Sequence, residues 1–340
     1  MSLDQVSKLT LQKAAEEKII TMDQVDPLYH FFQKQALGVR ITVPAKEGES
    51  SQKFVRSFGD VFIALGIVLL MMAVNITDFP EYYYLLPAVG FVALAEWLVR
   101  VRRLALPGVA ILIAILFLVS KSISFGDENA IVIGLGALSL TSLLFYLRYK
   151  MPFSLLPLAM SLVAIPITQV GFEVFETPAI FVGLGMVVFV IAFWFDSQDT
   201  ERQTLLSDNA FWLYLLASPL VVHGIMLLLF TSDVIQDTSV GVEILMIAFF
   251  AVFFLLSLLI DRRVILVSTQ LYMIYALFQL LQDRLSNMQD AMIYILIGLG
   301  LFVIYFGSYW YKSRRFVFTF LKGGIISRYV PDFDIEDVKR

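Results

Sequence analysis

From residue 58 onward the chain alternates long apolar runs with short polar breaks. Ten runs stand out, at 58–76, 82–100, 104–123, 129–147, 152–169, 177–195, 210–230, 239–260, 264–282 and 290–311. A helix needs about 20 mostly apolar residues to cross a hydrocarbon core of about 30 Å, so each run predicts a transmembrane helix. The fifth is the shortest and contains Pro157 and Pro166; the count falls to nine if it does not span. The pattern predicts an all-α, polytopic transmembrane helical bundle of about ten helices over 58–311, built from helical hairpins.

The pattern before residue 58 is different. Leu3, Val6, Leu9, Leu11 and Ala14 recur at helical spacing among charges, which predicts a short amphipathic helix. Thr21 and Gln24 form the T-x-x-Q of a capping box that opens a second helix, with Val25, Leu28, Tyr29 and Phe32 on its apolar side. Pro27 sits far in for a first-turn proline, so this helix starts at Asp26 instead or bends there. Residues 1–43 therefore read as a cytoplasmic helical pair and 44–57 as a polar linker. Two such helices bury little on their own, which makes residues 1–37 a candidate docking segment for a protein partner, for the protein's own cytoplasmic face or for the bilayer surface. Residues 312–340 read as a cytoplasmic tail, with an interfacial segment at 316–321.

Charge orients the bundle, because short cytoplasmic loops carry the excess of Lys and Arg. Lys53 and Arg56 precede the first run; Arg100, Arg102 and Arg103 follow the second; then come Arg148 and Lys150, Arg202, Arg262 and Arg263, and Lys312, Arg314 and Arg315. The intervening loops hold at most Lys121 or Arg284. Ten crossings with both termini in the cytoplasm fit this alternation.

Composition narrows the chemistry. Of 340 residues, 59% are apolar and 16% charged, against about 45–50% and about 25% in soluble domains. The bilayer is thus the expected partner. With no cysteine and only His30 and His223, thiolate chemistry, disulfides and multi-histidine metal sites are not expected. No clustered basic surface points to nucleic acid, no residue pattern calls for a cofactor, and no secretory signal precedes the first run.

Gly134 and Gly136, Gly183 and Gly185, and Gly298 and Gly300 pair near the starts of three runs that cross in the same direction. No strand precedes them and no Lys-Ser/Thr follows, so they are not phosphate loops; close helix packing through small residues is the expectation. Their shared direction favours accumulated hairpins over two inverted five-helix halves, for which the likeness of 62–66 to 181–185 is the counter-argument.

The candidate intramembrane polar site combines Ser218, Pro219, His223, Glu243, Gln270 and Gln279. Pro219 leaves the Leu215 carbonyl without its helical donor. His223 follows one turn later, roughly 20 Å into its helix at 1.5 Å per residue, and an ionisable residue at such depth relays protons, binds substrate or hydrogen-bonds a neighbouring helix. Gln270 and Gln279 lie about 180° apart on the ninth helix, which with Ser268, Thr269 and Gln282 is the most amide-rich and is expected inside the bundle. Glu96 and Arg100 fit a helical ion pair. No convergent acid, base and nucleophile suggests an enzyme.

Residues 17–33, EKIITMDQVDPLYHFFQ, followed by a linker and a run of hairpins, resemble uncharacterised bacterial "predicted membrane protein" families that open with a cytoplasmic helical pair. Ile20, Thr21 and Gln24 match their turn, while Glu17 and Lys18 stand where a glycine often precedes it. The resemblance implies a bacterial inner membrane and carries over no catalytic residue. The expected function is transport or permeation of a small solute, ion or lipid, with a membrane scaffold or sensor that recruits a partner through its N-terminal helices as the alternative.

Overall fold

The computed structural model describes residues 8–17, 21–36, 57–77, 79–123, 128–170, 178–200, 202, 204–231, 241–282 and 288–321. Among them are helices and turns but no strand. The chain divides into two compact units, Met1–Ser50 and Ser51–Arg340.

The first unit is a helical pair. α1 (Lys8–Glu16) and α2 (Met22–Ala36) pack on each other, and Leu11 and Val25 are buried. The Thr21 N–H donates to Gln24 Oε1 at 3.0 Å, the amide half of a capping box. With that cap in place α2 begins at Met22, not at Asp26, and continues through Pro27. The linker, Ser57 apart, lies outside the described residues.

The second unit holds α3 (Phe58–Ile76), α4 (Leu85–Ala95), α5 (Ala105–Lys121), α6 (Glu128–Tyr149), α7 (Leu155–Val170) and α8 (Ala179–Gln198). Then follow α9 (Leu205–Thr231), α10 (Gly241–Ile260), α11 (Val264–Gln282) and α12 (Met288–Leu321). These helices fall on the ten apolar runs. Seven are long and apolar enough to cross a membrane, while Ala105–Lys121, Ile244–Ile260 and Val264–Phe278 are shorter apolar stretches. This is the make-up of a multi-pass membrane protein. The fifth run is helical over Pro152–Val170 and is one of the seven. α12 does not stop near 311; it bends at Tyr309 (φ −109°, ψ 22°) and runs on to Leu321, so residues 316–321 continue a helix.

Local sequence explains the helix starts. Leu85-Leu86-Pro87, Ala105-Leu106-Pro107 and Leu155-Leu156-Pro157 open α4, α5 and α7, placing proline where the first-turn N–H has no helical partner anyway. At α3 the Ser57 N–H donates to Asp60 Oδ2 at 3.3 Å, so Asp60 serves as a cap. A single-turn 3-10 segment, Glu81–Tyr84, leads into α4, and a π turn over Glu96–Val101 ends it.

Four short turns join α4 to α5, α6 to α7, α8 to α9 and α10 to α11, all at the end of the bundle where the basic residues gather. Each contains one left-handed residue that is not glycine: Arg103 (φ 55°), Lys150 (φ 51°), Arg202 (φ 53°) and Asp261 (φ 59°). A left-handed residue ends a helix by turning the chain back on its last carbonyls. At Asp261 the following Arg262 N–H donates to Ser257 O at 3.0 Å.

Two cores result. One gathers Ile67, Phe91, Ile111, Leu112, Leu118 and Phe145 from α3 to α6; the other gathers Val163, Val188, Tyr214, Val222, Met246 and Ile265 from α7 to α11. α8 and α9 make the most extensive helix pairing, for a reason visible in two glycines. A Cβ on Gly185 would stand 2.8 Å from the Val221 backbone N, and one on Gly224 would stand 2.8 Å from the Val182 backbone N. Backbone meets backbone there, as small residues permit between membrane helices. Gly185→Val should therefore lower stability by about 1–3 kcal/mol, read as a lower melting temperature in detergent. Gly183→Val, with nothing within 4 Å of its Cβ position, should leave that temperature unchanged.

Candidate functional site

The densest polar cluster lies at the basic end, where α8, α9, the α10–α11 turn and α12 meet. The α8–α9 and α10–α11 turns are too short to carry their charges away from the bundle, so those charges find one another. Arg262 donates through Nε to Asp196 Oδ2 at 3.2 Å and through Nη2 to Asp196 Oδ1; its Nη2 also reaches Ser207 O at 2.9 Å and Ser207 Oγ at 2.7 Å. Both members of this forked pair are buried. Beside it, Arg202 donates to Asp261 Oδ2 at 2.9 Å and to the Ile260 and Asp261 carbonyls at 3.0 and 2.9 Å. Trp310 Nε1 of α12 donates to Asp261 Oδ1 at 2.6 Å, and Arg314 Nε donates to Leu258 O at 3.1 Å. Burial, with Arg262 nearby, pulls the Arg202 guanidinium below its ordinary pKa. The cluster therefore clasps α8, α9, the α10–α11 turn and α12.

A second, more exposed clasp joins the end of α4 to the end of α6. Glu96 accepts Arg148 Nε at 2.8 Å, Arg148 Nη2 at 3.0 Å, Tyr149 OH at 3.0 Å and Arg100 Nη1 at 3.1 Å. The expected Glu96–Arg100 pair is thus one arm of a larger group.

The candidate residues on α9 divide between its faces. Ser218 is buried with no partner for its Oγ, as are the Tyr214 hydroxyl and Asn209 Oδ1; Asn209 Nδ2 donates to Tyr146 OH at 2.8 Å. Pro219 and His223 are exposed. His223 Nδ1 is hydrogen-bonded to the Tyr272 hydroxyl of α11, and Phe181 of α8 meets the imidazole edge-on at 5.9 Å. Gln270 is half-buried on α11, two residues before Tyr272. The side chains of Glu243 and Gln279 lie outside the described residues. The structure thus brings His223 to Tyr272, and leaves Ser218 on a different face of α9. Of the paired glycines, Gly185 makes the close approach to α9, Gly134 is buried, and Gly136, Gly183, Gly298 and Gly300 have open space at the Cβ position. Among the described residues no group of three or more His, Asp or Glu is placed to hold a metal ion.

A cleft of about 430 Å³ lies between α5, α6 and α7 and is partly open. Ile113, Phe117, Leu135, Leu138, Met160 and Ala164 line it. Its two hydroxyls are already engaged. Ser120 donates to Phe117 O at 2.7 Å, and Ser161 is held between Pro157 O at 2.8 Å and the Ser139 hydroxyl at 2.7 Å. A polar solute would find nothing to grasp, whereas hydrocarbon would lose nothing on entry.

Asp196, Arg262, Tyr272 and the cleft residues carry no sequence motif. Asp196 sits one residue beyond an apolar run and Arg262 reads as an orienting loop charge, so only their complementary signs on adjacent same-side breaks signal a pairing. No family model matches the chain, and neither does any curated protein or solved structure.

Removing one member of a buried pair strands the other charge. Arg262→Met should thus cost about 3–5 kcal/mol, seen by thermal unfolding in detergent. Combining it with Asp196→Leu should recover most of that loss; additive losses would show that the two side chains are not coupled.

Proposed function

We propose that this chain is a ten-span protein of a bacterial inner membrane, hairpin-built and with both termini cytoplasmic, that binds and moves a lipid or similar hydrocarbon-bearing molecule. The observation that carries the reading is the partly open apolar cleft with its satisfied hydroxyls. Free ions and polar solutes are disfavoured as cargo, because the polar atoms of Tyr214 and Ser218 are sealed in the α7–α11 core. The gathering of Arg103, Lys150, Arg202 and Arg263 at one end supports the orientation, and the recurring left-handed turns support the hairpin build.

A scaffold role rests on a separate observation, the helical pair forming a compact unit of its own. Deleting residues 1–50 should abolish partner capture under that reading while leaving lipid transfer between vesicles intact.

The absence of cysteine makes the topology directly testable. Single cysteines at Ser122 and Ser232 should react with an impermeant maleimide on intact spheroplasts, and those at Gln198 and Ser313 only after permeabilisation. For the activity, transfer of a fluorescent-tailed phospholipid in proteoliposomes should fall several-fold in Ala164→Trp. Equal transfer in parent and variant removes the cleft assignment; a fall in His223→Ala alone moves it to the neighbourhood of the His223–Tyr272 hydrogen bond.

A further inference from the structure

We infer that the cleft seats one acyl chain of a phospholipid whose phosphodiester rests on Lys121. This deepens the reading of the cleft as a hydrocarbon site and rests on it.

Along α5 the lining runs from Ile113 to Ser120, about 10 Å at 1.5 Å per residue. That is a large part of one leaflet's share of a hydrocarbon core of about 30 Å. It ends in the last turn of the helix, beside Lys121. The Lys121 ammonium stands over the Phe117 ring, 5.8 Å from its centroid, and Phe117 is itself part of the wall. The cation is therefore placed at the rim of the cleft, where a chain lying in it would carry its headgroup.

The two described hydroxyls beside Lys121 are occupied. Ser120 and Ser122 donate to the Phe117 and Val119 carbonyls, each at 2.7 Å. Lys121 is exposed and makes no ion pair among the described residues. A lysine at a helix C-terminus is favoured by the helix dipole, and that alone would explain its presence. The ammonium also lies over the Phe117 ring one turn back, at a cation–π distance that holds it beside the wall of the cleft. A phosphodiester at this point meets a full positive charge close to a low-dielectric surface, where a charge-assisted contact is stronger than in water.

The test uses the full chain, purified in detergent micelles doped with phosphatidylglycerol or with diacylglycerol of the same acyl chains, and counts retained lipid by native mass spectrometry. The parent should hold one phosphatidylglycerol and retain diacylglycerol several-fold less. Lys121→Gln, an exposed substitution, should lower phosphatidylglycerol retention to the diacylglycerol level. Ala164→Trp and Met160→Trp, at two positions of the cleft lining, should remove both lipids. If Lys121→Gln keeps the phospholipid preference while the tryptophan variants lose lipid, the headgroup assignment is overturned and the hydrocarbon site stands. If the tryptophan variants retain lipid as the parent does, or the parent retains none, the hydrocarbon reading falls and this inference falls with it.

Discussion

Hydrocarbon offers no hydrogen-bond partner to a peptide group, a hydroxyl or a charge, and each group left unsatisfied there costs several kcal/mol. The second unit is organised around that constraint. Its backbone groups are satisfied in helices, and its prolines mostly sit where an amide proton is not needed. Its mid-helix hydroxyls turn back on their own helix, as when Thr141 donates to Ala137 O at 2.8 Å and Ser142 to Leu138 O at 2.8 Å. Charges that enter the packed interior do so near helix ends, in opposed pairs such as Asp196 with Arg262 or as caps such as Asp60, which accepts the Ser57 N–H.

The two clasps occupy corresponding places. Glu96, near the end of α4, is held by Arg148 at the end of α6; Asp196, near the end of α8, is held by Arg262 in the α10–α11 turn. In each case a carboxylate near the end of one helix grips an arginine at a later turn on the same end. Between these tied regions the two cores meet at α6 and α7, and the apolar cleft opens along that seam. A gap between two separately packed bodies is where a guest can enter without disturbing either core.

Much of this was legible from residue pattern. The ten apolar runs became ten helices because apolar length is a strong signal, and the Glu96–Arg100 and Thr21–Gln24 spacings produced the expected local contacts. Partners across the bundle were not legible. Nothing in the neighbourhood of His223 announces Tyr272, forty-nine positions away, and nothing in the chain order separates Gly185, pressed against α9, from Gly183, which faces open space. Such contacts depend on helix rotation and depth, which tertiary packing sets. Pro27 misled for a related reason: the cap supplied by Gln24 fixes the start of α2 upstream, and the proline is absorbed as an interior residue.

The four left-handed turns hold one further implication. Glycine adopts that backbone at no steric penalty, yet these positions carry Arg, Lys, Arg and Asp, at a cost of about 1–2 kcal/mol each. Backbone ease and side-chain identity have therefore been selected for different ends. The left-handed geometry turns the chain from one helix into the next, while the cations in and beside the turn are of the kind that bias the orientation of an inserting chain. The two properties are separable. A version of this protein with glycine in the α4–α5 and α6–α7 turns would keep the shape of those hairpins and give up part of the information that decides which side of the membrane they face.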